Sequence, residues 1–232
     1  MQICHVRQLG RVPYQQAWDL QNQLAAQVAT GELPATLLLL EHPHTITFGR
    51  SGKAANLLWS EAMLKQREVE VFWVDRGGDV TYHGPGQLVG YPLMQLNTSD
   101  LLTAAQTDSG TLPRVDYIAY LRQLEEVLIL AVHKFGISAG RLQKLTGVWV
   151  EQAKIAAIGV KVDAHGITRH GFALNVAPDM SYWESITGCG LQGYSPTSMA
   201  ELLPTPPAMS EVHQAVISAF EAVFGLQCVI VT

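Results

Sequence analysis

The sequence predicts an α+β fold: one domain over residues 1–232 with a mixed, largely antiparallel sheet flanked by helices. Three observations predict it. Strand-like runs recur along the chain with helical stretches between and around them. Residues 147–175 hold three strand-like pieces in succession, GVWVE, KIAAIGVKV and ITRHGFALNV, which read as an antiparallel meander packed against a long helix. The central glycine-rich stretch joins strand to strand. It contains neither a GxGxxG opening a helix nor a GK[ST] loop, so a dinucleotide-binding unit or a P-loop is not indicated.

In order, residues 2–9 read as a strand. Pro13 opens a helix to about Ala29, with Tyr14, Trp18, Ala25 and Val28 on one face, Ala17, Leu20 and Leu24 beside it, and Gly31 as a stop. Thr36–Glu41, TLLLLE, is too uniformly apolar for an edge strand. Residues 56–66 predict a short helix. Glu68–Asp75 shows strand alternation, and Val89–Leu96 is the next strand. Thr98–Thr111 is small and polar and reads as an exposed loop or insertion with no function assigned. Pro113 starts a helix whose stripe of Tyr117, Leu121, Leu124, Leu128, Val132 and Phe135 is core, ended by Gly136. Hairpin connections are expected at Gln152-Ala153 and at Asp163–Gly166. Near the end, Ser210 is expected to cap an amphipathic helix to Phe224, and Leu226–Val231 to form a last strand.

Composition narrows the function classes. A net charge of -5 without a Lys/Arg run argues against general nucleic-acid binding. Ala35–Leu40 is the longest apolar run near the front and is far too short to span a bilayer. Three cysteines and no recognisable secretory leader point to a reducing, cytoplasmic setting without a disulfide framework. His42 and His44 flank Pro43, but a metal site needs three or four converging ligands, so structural or substrate-contact roles are expected and no metal.

The stretch richest in information is RGGDVTYHGPGQLVGYP, residues 76–92. It holds Gly77, Gly78, Gly84, Gly86 and Gly90, interleaved with Tyr82, His83 and Gln87. Such a density of glycine is entropically costly and suits a loop whose backbone approaches a ligand; a ligand-free cluster of tight turns is the alternative. Cys189 lies between two glycines, whereas Cys4 and Cys228 sit in apolar strand contexts and read as inert core thiols. A thiol becomes a good nucleophile beside a cation or base, for which His83, His170, Lys154 and Lys161 are candidates. Lys154 opens the apolar run KIAAIGV, either as a strand end reaching solvent or as a functional ammonium.

RGGDVTYHGPGQLVGYP, GVWVE, KIAAIGVKV, RHGFALNV and CGL, in this order, resemble the lipoyl(octanoyl) transferase family, within the wider group of biotin and lipoate protein ligases. The similarity runs from EHPHTITFGR to GCGL, well over half of the chain. It implies a biotin/lipoate protein ligase-like catalytic fold and an acyltransferase that needs no cofactor. The donor would be octanoyl-acyl carrier protein. The acceptors would be lysines of the lipoyl domains of 2-oxoacid dehydrogenases and of the glycine cleavage H protein, in the first step of endogenous lipoate synthesis. By motif, the acyl-thioester cysteine falls on Cys189, and the lysine that lowers its pKa on Lys154. The substrate-binding run falls on Arg76, Gly77, Gly78, Asp79, Val80, Thr81, Tyr82 and His83. Further contacts fall on Ala157, Ile158 and Gly159 and on Gly171, Phe172 and Ala173. The family often has Pro before the cysteine, where this sequence has Gly188. Ala156, Ala157 and Phe172 are expected to line an acyl slot, and Arg50, Arg76 and Lys144 to form a positive rim for acidic carriers. Two other readings share the fold: an ATP-dependent lipoate ligase, and a non-catalytic acyl- or carrier-binding scaffold.

Overall fold

The computed structural model describes residues 2–96, 117–187 and 194–231. Its larger sheet contains strands β1 (Gln2–Arg11), β2 (Ala35–Glu41), β6 (Gln87–Leu93), β8 (Ala153–Val162), β9 (Thr168–Asn175), β10 (Ser195–Pro196) and β11 (Leu226–Ile230) in the order β10-β8-β9-β6-β2-β1-β11, with β7 (Val148–Val150) also paired to β8. A smaller sheet has β3 (Thr45–Phe48) between β4 (Glu70–Trp73) and β5 (Val80–His83). The centre of the large sheet, from β2 through β6 and β9 to β8, is antiparallel, while β1 pairs in parallel with both β2 and β11.

Helices cover both faces, which accounts for the unbroken leucines of β2. Leu37 and Leu39 join the core under α3 (Tyr117–His133) and α5 (Met209–Phe224), while Leu38 and Leu40 join Ala17 and Leu24 of α1 (Tyr14–Ala29) on the opposite face. Successive strand residues point to opposite faces, so a strand sandwiched between helix layers must be apolar at every position. No helix among the described residues is long and apolar enough to cross a membrane.

Several local expectations change. The helix expected over residues 56–66 is a short 3₁₀ turn at Ala54–Asn56 followed by α2 (Glu61–Gln66), which Ser60 caps by accepting the Met63 N–H at 3.4 Å. The stretch read as loop between two strands contains a strand of its own, β5, which pairs antiparallel with β3. The first hairpin turns at Glu151-Gln152, with Glu151 at φ 52°, while the Asp163–Gly166 turn lies where expected. Ser210 is not the cap of α5: Ala208 occupies that position, and the Glu211 carboxylate accepts its N–H at 2.8 Å. A short α4 (Met199–Leu202) precedes it, its start closed reciprocally by Ser198 and Glu201. The polar segment 98–111 and the start of the long helix before Tyr117 lie outside the described residues.

Candidate active site

Strands β8 and β9 form the floor of a cavity of about 460 Å³. In the ladder Ala157 faces Ala173, Ile158 faces Phe172 and Gly159 faces Gly171, so two runs on consecutive strands of a hairpin meet residue by residue and all six line the cavity. Ala156 does not join them; it points to the opposite face, into the core under α3 and α5. The Phe172 ring occupies the space a side chain at residue 90 would need: a Cβ on Gly90 would lie 2.1 Å from it. The second wall is the glycine stretch. It docks on β8 where Gly77 donates its N–H to the Val160 carbonyl at 2.9 Å, and a Cβ on Gly159 would lie 2.9 Å from the Gly77 carbonyl oxygen. Gly78 follows at φ 85°, a conformation that glycine adopts without cost.

Of the run from Arg76 to His83, the cavity is lined by Arg76, Gly78, Asp79, Val80, Thr81 and His83. Tyr82 turns the other way, into the core of the smaller sheet, hydrogen-bonded to His44 at 2.8 Å. Gly77 serves the docking just described. Arg76 is only 7% exposed, so it forms no part of a surface rim. Its Nη2 donates to the Thr47 carbonyl at 2.7 Å and hydroxyl at 2.9 Å, and Nη1 to the Gly77 carbonyl at 2.9 Å. Arg50 and Lys144 are exposed.

His83 is buried in the cavity wall. Its Nδ1 donates to Gln87 Oε1 at 2.8 Å, and Gln87 in turn donates to the Tyr82 carbonyl and to Asn175 Oδ1. Burial, with His42 and Arg76 nearby, holds its pKa well below the ordinary histidine value, so the ring is neutral. His42 is neutral for the same reason, at about 4. It donates from Nδ1 to the Val12 carbonyl and accepts the Tyr91 hydroxyl, both at 2.7 Å. On the far side of the cavity, His170 Nε2 donates to Asp75 Oδ1 at 2.7 Å, and Lys161 pairs with the other oxygen. Burial lowers the His170 pKa although Asp75 opposes it; the His170 hydrogen bond is the main reason that Asp75 is held well below the carboxylate range. His170 has φ 57°, fixed by the bond from its N–H to Gln21 Oε1 at 2.8 Å.

Lys154 stands at the other end of the cavity, at the start of β8. Burial pushes its pKa down to about 8. Among the described residues no carboxylate pairs with it. Beside it the loop that carries Lys144, Leu145 and Thr146 lines the cavity. That loop is fastened from α3 by Glu125, a wholly buried carboxylate that accepts from Arg122 at 2.6 Å, Arg141 at 2.9 Å and the Gly147 N–H at 3.1 Å. Sequence reading passed over Glu125. It was legible, since a carboxylate four residues after Leu121 and three before Leu128 sits on the buried stripe and needs partners. Asp75 and Trp149 were also missed. Cys189, with the rest of GCGL, lies outside the described residues; Thr187 and Tyr194, on either side, line the same cavity as Lys154.

A family model described as the lipoyl protein ligase A/B catalytic domain matches residues 13–221. The chain belongs to that family. It is 44% identical to the octanoyltransferase of Rubrobacter xylanophilus over 222 residues, 95% of this chain and 93% of that one. With the octanoyltransferase of Chloroflexus aurantiacus it shares 44% over 229 residues, covering 98% and 96%. Among solved structures, a bipartite lipoate protein ligase from Thermoplasma acidophilum superposes with a TM-score of 0.70 at 15% identity, covering all of this chain and 88% of the other. At that identity the likeness is one of fold.

Proposed function

We propose that octanoyl-acyl carrier protein is the donor and that the acyl group passes through a thioester on Cys189 before reaching a lipoyl-domain lysine. The chain is an octanoyltransferase acting in protein lipoylation, in keeping with relatives of that name that match it over nearly its whole length. The observation that carries the reading is the cavity: an apolar floor of β8 and β9 with, at one end, a lysine that no carboxylate among the described residues pairs. Cys189 follows Thr187, a residue of the cavity wall, by two positions in the sequence, and two residues reach at most about 7 Å.

The chemistry balances without an external energy source. The Cys189 thiolate adds to the thioester carbonyl, and the tetrahedral intermediate expels the carrier's thiolate, which takes up a proton. Exchange of one thioester for another is nearly isoenergetic, so positioning supplies most of what is needed. The neutral amine of the acceptor lysine then adds to the acyl-enzyme, loses a proton and expels the Cys189 thiolate, leaving an amide. With a pKa of about 8, Lys154 is available in both states near neutrality. As an ammonium it favours the thiolate, and as an amine it accepts the proton of the incoming lysine. Burying seven methylene and methyl groups of the acyl chain against Ala157, Ile158 and Phe172 contributes roughly 5 kcal/mol, before ordering entropy is deducted.

The acceptors are lipoyl domains of 2-oxoacid dehydrogenases and the glycine cleavage H protein, the reaction proceeds without a cofactor, and residues 1–232 act as one catalytic domain in the cytoplasm. Incubation with octanoyl-acyl carrier protein, with and without ATP, followed by intact and peptide mass spectrometry, tests the route. One octanoyl group on Cys189, independent of ATP and absent from Cys189→Ser, is expected. Acyl transfer that requires ATP would support the ligase reading instead; binding of carrier with no acceptor modification would support a scaffold.

A further inference from the structure

Among the described residues Lys154 has no anionic partner to fix its side chain, yet it is not free. Its cross-strand neighbour on β7 is Trp149, and the pairing there shifts register between Val148 and Trp149, bringing the indole opposite the lysine. The Lys154 Nζ stands 4.6 Å from the centroid of the Trp149 ring, within the range of a cation–π contact. A Cβ on Gly147 would come 3.4 Å from the Lys154 Cε and 3.6 Å from its Cδ, so the stem passes close to the Gly147 backbone as well as to the indole. Trp149 is itself held tightly. Its N–H and carbonyl both bond to Gly140, at 2.9 and 2.8 Å, and Tyr194 meets its ring edge-on at 5.2 Å. Trp149 is 2% exposed, and among the described residues its Nε1–H has no hydrogen-bond partner. A buried, unsatisfied donor is a cost that a phenyl or aliphatic side chain would avoid. The indole also has the most attractive face for a cation of any side chain.

We propose that Trp149 is the positioning residue of Lys154, its indole face and the Gly147 backbone clamping the ammonium at one place on the cavity wall. The clamp does what a carboxylate cannot. It orients the cation and favours its charged form slightly, without neutralising it or accepting its proton. Among the described residues, the charged and titratable groups that share the cavity are Lys144 on the preceding loop, Tyr194 before β10, Asp79 and Arg76 of the glycine stretch, Tyr14, Tyr91, His83 and His170. No carboxylate among the described residues stands beside Lys154 to replace the ring. The catalytic meaning of the clamp rests on the function proposed above; its existence does not.

The test is NMR of protein carrying ¹³Cε-labelled lysine, with the Lys154 signal identified by its loss in Lys154→Arg. In the wild type, the indole ring current should displace that signal upfield. In Trp149→Leu, which keeps the site dry, the displacement should vanish and the titration midpoint should fall by about half to one pH unit. Trp149→Phe should show a smaller change of each kind, and it decides the matter where Trp149→Leu does not fold. In kinetics, Trp149→Leu should lower kcat for acyl transfer several-fold with the donor KM unchanged, and Trp149→Phe should recover part of it. A Lys154 signal and midpoint that are the same in the wild type and the folded variants overturn the clamp. A shifted signal in a protein that transfers no octanoyl group would leave the clamp standing and remove the proposed function.

Discussion

Two lysines of strand β8 have opposite fates. Lys161, near its end, is paired with Asp75, which also binds His170. Lys154, seven residues earlier at its start, faces an indole and a glycine and no carboxylate among the described residues. The first ties the glycine-rich wall to the sheet: Asp75 directly precedes Arg76, and Gly77 docks on Val160, next to Lys161. The second is largely buried, which depresses its pKa to about 8, into the range where a proton can be exchanged near neutral pH. On the function proposed above, the lysine with an ion pair holds structure together, and the one that has none among the described residues does chemistry at a cost in stability.

The sharpest way to break this contrast is to remove each lysine. Lys154→Met should lower kcat/KM for octanoyl transfer by about 10²–10⁴-fold, the range for loss of a positioned acid–base group. Lys161→Met should cost less than about tenfold in the same assay, because its role is to brace a wall. Equal losses would erase the distinction.

Stability should move in the other direction. In the folded protein the Lys154 pKa is about 8, below the unfolded value of 10.5, so between these values the unfolded chain binds more protons. Wild-type stability should therefore rise as pH increases from about 8 to 10.5. Lys154→Met should lose that rise and be more stable at pH 7 by on the order of 1–2 kcal/mol, as measured by urea unfolding. A destabilised Lys154→Met with an unchanged pH slope would contradict a buried, unpaired ammonium.

Glu125 sharpens the comparison from behind the loop. Glu125→Ala leaves the Gly147 N–H unpaired and frees Arg141 and Arg122, which solvent can reach; about 2 kcal/mol of stability should be lost. Activity measured where the variant is still folded should fall as well, since Gly147 is one jaw of the Lys154 clamp. The smallest effect is expected at Asp75. Its folded pKa lies below the unfolded value of about 4, so its contribution is present above pH 4 and lost as pH falls below it. Asp75→Asn should flatten the acid limb of the stability profile in that window.

Much of the architecture was legible because it is written in periodicity. The leucines of β2 and the stripe on α3 each name buried positions, and the strand-like runs of β8 and β9, separated by a turn signal, name a hairpin. Turn and cap details were less so. Ser210 carries a capping side chain, but the Glu211 carboxylate closes the helix from Ala208 instead. Strand β5 hid among glycines because its pairing partner, β3, lies more than thirty residues earlier. In the site, motif order pointed to Lys154 and to the paired runs on β8 and β9, which do line one cavity. It could not show that Arg76 turns inward onto Thr47, or that Trp149 faces Lys154. Those depend on register, on a single-residue shift between β7 and β8, and on the long-range reach of Glu125, none of which leaves a local pattern.

The most direct measurement is single-turnover transfer from isolated octanoyl-enzyme to a lipoyl domain, followed against pH in wild type and Lys154→Met. The rate should rise with pH through a midpoint near 8, with the acyl group chased quantitatively from Cys189, and Lys154→Met should lose the rate and the midpoint together. Failure of Cys189 to hold the octanoyl group, or a Lys154→Met enzyme that delivers it as fast as the wild type, would contradict the account.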